Sequence, residues 1–184
     1  MSAVQKGQSD LYLYNIAATS LQQLNNDIYD DLNPVFAEGT GQILFSSNRP
    51  DEKLAWMDYE DAPASVGKTT DLFLMIRGDN KNILRRVTNT PLGSELQPEM
   101  TGKGRFMFLS DENGINNRYF GRFDSAISFI DTTIHYRYFF ETYPATNYSR
   151  SILSHEIDTV SGSLSQVVFQ RGKYHLQDEE LIPG

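Results

Sequence analysis

The chain has 184 residues, 39% of them hydrophobic and 12% aromatic, with 16 Lys plus Arg against 24 Asp plus Glu for a net charge of −8. That is enough apolar material for one folded domain and too much for a disordered chain, and the aromatic bias favours sheet. The acidic balance argues against nucleic acid or an anionic membrane surface as partner, the absence of Cys removes disulfides, thiolate metal sites and thiol catalysis, and no apolar run reaches the ~20 residues that cross a bilayer.

The first residues, Met1-Ser2-Ala3-Val4-Gln5-Lys6-Gly7, lack the apolar stretch of a secretory signal. Asp10-Leu11-Tyr12-Leu13 then opens a predicted strand with both faces apolar, as in a sheet packed between two neighbours. Leu21-Gln22-Gln23-Leu24-Asn25-Asn26 closes the next strand. An oxygen-rich loop follows to Asp31, where Asp31-Leu32-Asn33-Pro34 leads another strand. Gly39-Thr40-Gly41 reads as a tight hairpin into Ile43-Leu44-Phe45-Ser46-Ser47-Asn48. Residues 50–69 read as an insertion loop, with Trp56 tucked onto the sheet.

The pattern then starts again. Asp71-Leu72-Phe73-Leu74 matches the first strand, Leu84-Arg85-Arg86-Val87-Thr88-Asn89 the second, and Glu95-Leu96-Gln97-Pro98 the third. Gly102-Lys103-Gly104 repeats the hairpin, and Phe106-Met107-Phe108-Leu109-Ser110-Asp111 the aromatic strand. Asp10 and Asp71, Pro34 and Pro98, and Ser47 and Ser110 are offset by 61, 64 and 63 residues. Such a period marks an array of similar sheets, each burying its faces against the next. Asn113-Gly114 predicts a hairpin from Phe106–Leu109 to Tyr119–Phe123, and Arg171-Gly172 one from Val167-Val168-Phe169 to Tyr174-His175-Leu176. Beyond residue 124 the repeat fades. Ile134 to Phe140, Ser149 to Leu153 and Gln166 to Phe169 read as strands of a diverged third unit over 125–184. No segment carries a helical period with caps. The expectation is one all-β domain over 1–184, with two recognisable repeats in 1–124.

Chemical motifs are few. Ala62-Pro63-Ala64-Ser65-Val66-Gly67-Lys68-Thr69 fits a loose phosphate-loop pattern, but an acidic segment precedes it and a strand follows it, where the chemistry needs a buried strand and a helix N-terminus. Asn25 to Asp31 concentrates oxygen ligands without the spacing of a calcium loop. Its acids, with Tyr29, nonetheless form the best candidate contact surface: Asp27, Tyr29, Asp30 and Asp31, with Glu95 as the counterpart of Asp31 in the second copy. Asp31 and Glu95, each three before a proline, suit accepting backbone hydrogen bonds that fix the strand's entry angle. His135, His155 and His175 stand apart from one another, and no G-x-S-x-G elbow occurs. Paired acids (Asp30-Asp31, Glu60-Asp61, Glu179-Glu180) would serve glycoside chemistry only if held across a cleft. No catalytic residue, metal site or cofactor is predicted.

The Asp-Leu-Tyr-Leu strand opening, the Leu-x-x-Leu-Asn-Asn closing, the acid three before proline, the Gly-bearing hairpin and the aromatic strand ending Ser46-Ser47-Asn48-Arg49 resemble the WD40-like repeat of TolB-type β-propellers. The resemblance covers residues 10–49 and 70–114. It implies a propeller-type array of about three antiparallel, mostly four-stranded blades, an incomplete ring cut from a larger chain. It further implies a non-catalytic interaction or scaffold module in the bacterial cell envelope, periplasmic or otherwise extracytoplasmic. The partner would be an envelope protein, the rest of the parent chain, or cell-wall glycan, with no insertion into the membrane. The alternative is a propeller attached to an enzyme, as a peptidase gate or a glycan-processing domain. TolB's separate N-terminal domain has no counterpart here. An unclosed array leaves open strand edges, so self-association through an edge is also expected.

Overall fold

The computed structural model describes residues 1–5, 7–37, 41–54, 67–78, 81–130 and 134–181, with side chains for all of these except 125–130 and 134–138. Among the described residues the chain is all-β, with fourteen strands and no helix. The strands form four antiparallel sheets, each a meander in chain order, and none is closed. The first sheet holds β1 (Ser2–Gln5), β2 (Gln8–Asn15) and β3 (Ser20–Gln23). The second holds β4 (Asp31–Phe36), β5 (Ile43–Ser47), β6 (Asp71–Ile76) and β7 (Ile83–Arg86). The third holds β8 (Glu95–Gly102), β9 (Arg105–Ser110), β10 (Asn117–Ile130) and β11 (Ile134–Pro144). The fourth holds β12 (Ile152–Asp158), β13 (Ser163–Gln170) and β14 (Lys173–Glu180).

Strand alternation explains why the central strands are apolar on both faces. From β5 and β6, Ile43, Phe45, Phe73 and Met75 pack with Leu11 and Leu24 of the first sheet. Their alternate neighbours Leu44, Leu72 and Leu74 pack the other way, with Met100, Phe106 and Phe108 of the third sheet. In β9 the same division recurs, for Met107 and Leu109 meet Leu164, Ile152 and Val168 of the fourth sheet. The four sheets are therefore layered in chain order. The first strands follow one another along one side of the stack, β4 beside β8 and β8 beside β12. Gly121 on β10 exists because Phe106 lies over it: a Cβ there would sit 2.2 Å from the Phe106 ring.

The glycine turns meet their expectations where they are described. Gly114 (φ 82°) turns β9 into β10, and Arg171 and Gly172 (φ 51° and 77°) form the two-residue turn from β13 to β14. Asn33 and Gln97 match as a pair. Both take positive φ (50° and 51°), both precede proline, and both sit at a bulge against the next strand.

Three differences from the sequence expectation stand out. There are four sheets, not about three, because Ser2–Gln5 adds a strand to β2 and β3 and makes them a sheet of their own. Residue 125, where the repeat fades, lies within β10, and the third sheet continues to Pro144. Ser149 to Ser151 is not strand; β12 starts at Ile152. Trp56, the Glu60-Asp61 pair and most of the phosphate-loop-like segment lie outside the described residues, as do Gly39 and Thr40.

Candidate functional site

The same device carries the chain from each sheet to the next. At the first step Leu11 N–H donates to Asn25 Oδ1 (2.9 Å) and Leu24 N–H to Leu11 O (2.8 Å). At the second, Leu72 N–H donates to Thr88 Oγ1 and Val87 N–H to Leu72 O, both at 2.8 Å. At the third, Arg118 N–H donates to Thr146 Oγ1 (2.9 Å) and Ala145 N–H to Arg118 O (2.8 Å). A short polar side chain thus replaces the ladder partner that the departing strand no longer supplies. The residue just before each donor, Asp10, Asp71 or Asn117, accepts in turn from the main chain of Asp27, Thr90 or Tyr148.

The three joints differ in how they handle charge. The first buries three acids and one guanidinium. Arg49 Nη2 donates to Asp31 Oδ2 (2.7 Å) and Asp27 Oδ2 (3.1 Å), and its Nε donates to Ser47 Oγ (3.0 Å). Asn25 Nδ2 reaches Asp31 Oδ2 (2.8 Å), Asp10 Oδ1 (3.2 Å) and Asp27 Oδ2 (3.3 Å). The rings of Tyr29, Phe73 and Phe45 lie 5.3, 5.8 and 6.0 Å from the guanidinium carbon. Burial pushes the Asp31 carboxyl up from its ordinary range, and Arg49 offsets only part of that. For Arg49 itself burial works against the charge, but Asp31 and Asp27 outweigh it and hold its pKa above the usual value.

The second joint has no arginine at this place. Glu112 stands where Arg49 stands in the first copy, and Thr90 where Asp27 stands. Glu95 accepts instead from the hydroxyls of Thr88 and Thr90. Burial, reinforced by the Asp71 charge, pushes it up to about 7 despite those two bonds. Arg86 pairs with Asp71. At the third joint the acid is gone altogether, and Ile152 fills its place, fully buried against Leu109 and Val168. Arg118 turns inward there, donating to Gln166 Oε1 (2.5 Å) and His155 Nδ1 (3.4 Å). His155 Nε2 donates to Gln97 O (2.7 Å), the tautomer that leaves Nδ1 free to accept. Burial, with the Arg118 charge nearby, lowers His155 to about 4.

Beside the first two joints lies a cleft of about 410 Å³ with a mixed lining. Tyr29, Asn48 and Arg49 line one side, Thr69 and Asp71 the middle, and Arg86, Thr90 and Pro91 the other. Its charged groups are already in ion pairs, Asp71 with Arg86 and Arg49 with Asp27 and Asp31, so what it offers a ligand is hydrogen-bonding side chains and the Tyr29 ring. Tyr29 is the candidate residue that lines it. Asp30 is half-buried, accepting from Ser9 N–H (3.0 Å). Asp27, Asp31 and Glu95 are buried, not on the loop surface expected of them, because each carboxylate is a bonding partner inside a joint. Asp30-Asp31 does not present two carboxyls to the cleft, and Glu179-Glu180 lies on β14. Among the described residues no group of three or more His, Asp or Glu could hold a metal ion. The structure also brings in Arg49, Asn25 and Arg86, which sequence reasoning left out. The one signal for Arg49 was its place in Ser46-Ser47-Asn48-Arg49, where the second copy has an acid.

A scan against protein-family models finds no match to this chain, and a search of curated proteins finds none either.

Proposed function

We propose that this chain is a non-catalytic protein-interaction and scaffold module of the TolB-like propeller type, acting in the bacterial cell envelope. The observation that carries this reading is the thrice-repeated joint. The same bonds at Leu11, Leu72 and Arg118 make the sheets consecutive units of one layered series, with first strands aligned along one side. That is the arrangement expected of adjoining propeller blades. The joints lock the backbone beneath the cleft, so little conformational entropy is lost there on binding. The mixed aromatic and polar lining suits a protein segment or a cell-wall glycan.

The test uses the intact chain immobilised and exposed to bacterial envelope extract, beside a Thr69→Arg variant. Thr69 is exposed and supplies none of the joint bonds described above, so arginine there fills the cleft without deleting one of them. A partner retained by the wild type and lost with Thr69→Arg supports the reading. Equal retention by both, or turnover of an envelope glycan or peptide by the purified chain, contradicts it.

A further inference from the structure

A second cleft, of about 440 Å³, is lined by the loop before β12 together with β13 and β14. Its volume falls within the range of small-ligand sites, about 300–1,000 Å³. The acid in its lining is already engaged. Glu179 Oε1 accepts from the Tyr148 hydroxyl (3.3 Å) and from Gln166 Nε2 (3.1 Å), and its Oε2 lies 3.9 Å from Arg118 Nη1. Gln177 Oε1 accepts from Gln166 Nε2 (3.0 Å), which fixes that amide and leaves its Nε2 hydrogens without a partner among the described residues. Tyr148 is 38% exposed, and its bond to Glu179 holds the ring at the cleft.

Arg150 differs from the arginines of the joints. Arg49 has Asp27 and Asp31, Arg86 has Asp71, and Arg118 has Glu179. Arg150 lines the cleft, is exposed, and has no ion pair or hydrogen bond among the described residues. An exposed arginine alone is ordinary surface. Here it shares a cleft with two neutral groups that are also unbonded, the Ser149 hydroxyl and Gln177 Nε2, and with an aromatic ring.

We propose that this cleft binds a sugar carboxylate, with its carboxyl group on Arg150, its hydroxyls on Ser149 and Gln177, and one face of its ring against Tyr148. The charge selects the acid. With Glu179 offset by Arg118, the unmatched charge is a guanidinium, which takes a carboxylate through two parallel hydrogen bonds. The net charge of −8 opposes an anion at long range, but salt screens that field beyond about 8 Å, so the adjacent guanidinium outweighs it. The neutral groups and the ring select the sugar. A carboxylate without hydroxyls covers Ser149 and Gln177 and leaves them unpaired, which costs affinity. This cleft is separate from the one beside the first two joints, and the inference stands independently of the envelope reading.

Titration of the whole chain with galacturonate, galactose and acetate, followed by NMR amide shifts, tests it, beside an Arg150→Gln variant. Arg150 gives the fold no bond, so the variant keeps the third joint. Galacturonate is expected to shift the amides of Arg150 and Gln177 saturably. Galactose and acetate should each bind at least about 10-fold more weakly, and Arg150→Gln should lose at least about 10-fold for galacturonate. Methyl galacturonide binding as well as the free sugar supports a residue within a glycan; weaker binding supports a free sugar acid. Galactose binding as tightly as galacturonate removes the role of the charge, and acetate doing so removes that of the sugar; either overturns the proposal. So does an affinity unmoved by Arg150→Gln, or the lack of any saturable response to galacturonate and its methyl glycoside.

Discussion

Arg49 carries its charge with none of its side chain in contact with solvent, and three features make that tolerable: two carboxylates, a serine hydroxyl and flanking aromatic faces. Removing the cation while leaving the acids is the costly change. Arg49→Met should lower unfolding free energy by about 3–5 kcal/mol, because Asp27 and Asp31 then lie buried without a counter-charge. Urea unfolding reads this directly; a loss below about 1 kcal/mol would mean that Arg49 is not the hub of the first joint. Gly121→Ala should cost about 1–3 kcal/mol by driving a methyl into the Phe106 ring. At this scale the sequence was least legible. A run of Asn and Asp between two strands looks the same whether solvent or an arginine 18 or 22 residues away satisfies it. Only burial distinguishes the two, and burial depends on which strands stack.

Strands were far more legible than sites. β5, β6 and β9 announce themselves because a strand covered on both faces must be apolar at every position, and β13 and β14 because Arg171-Gly172 fixes the turn between them. β1 was not visible, since Ser2-Ala3-Val4-Gln5 has no period of its own and becomes a strand by pairing with β2. Phe45 and Phe108 occupy matching places with 0% and 1% exposure, Phe45 facing the first sheet and Phe108 the second. Each Phe→Ala change should cost about 3–5 kcal/mol in thermal or chemical unfolding. A loss well under 1 kcal/mol at either would displace that strand from its assigned face.

The layered molecule also has a pH signature, because its joints bury titratable groups of opposite tendency. Glu95 is raised to about 7 from an ordinary 4.5, and Asp31 is raised as well. The folded state therefore holds protons that the unfolded chain releases: the Glu95 contribution is full below about pH 4.5 and lost as pH rises through 7, and that of Asp31 is full below about 3.8 and lost as pH rises through about 6. For Glu95 this is on the order of 3 kcal/mol. His155 acts oppositely: lowered from 6.5 to about 4, it contributes fully above pH 6.5 and loses that contribution as pH falls through 4. Between about pH 4.5 and 6.5 the gain at His155 offsets the loss at Glu95 while Asp31 loses as well, so stability should fall from about pH 4.5 to 7, and Glu95→Gln should flatten that decline. A profile still rising from pH 6 to 8 would contradict this assignment.

The layered series rests on the three joints being one device, and amide exchange at Leu11, Leu72 and Arg118 measures that most directly. We expect all three amides to exchange as slowly as strand interiors, and Thr88→Ala to release Leu72 while leaving Leu11 and Arg118 protected. Fast exchange at any one of them in the wild type, or a Leu72 amide unmoved by Thr88→Ala, would contradict it.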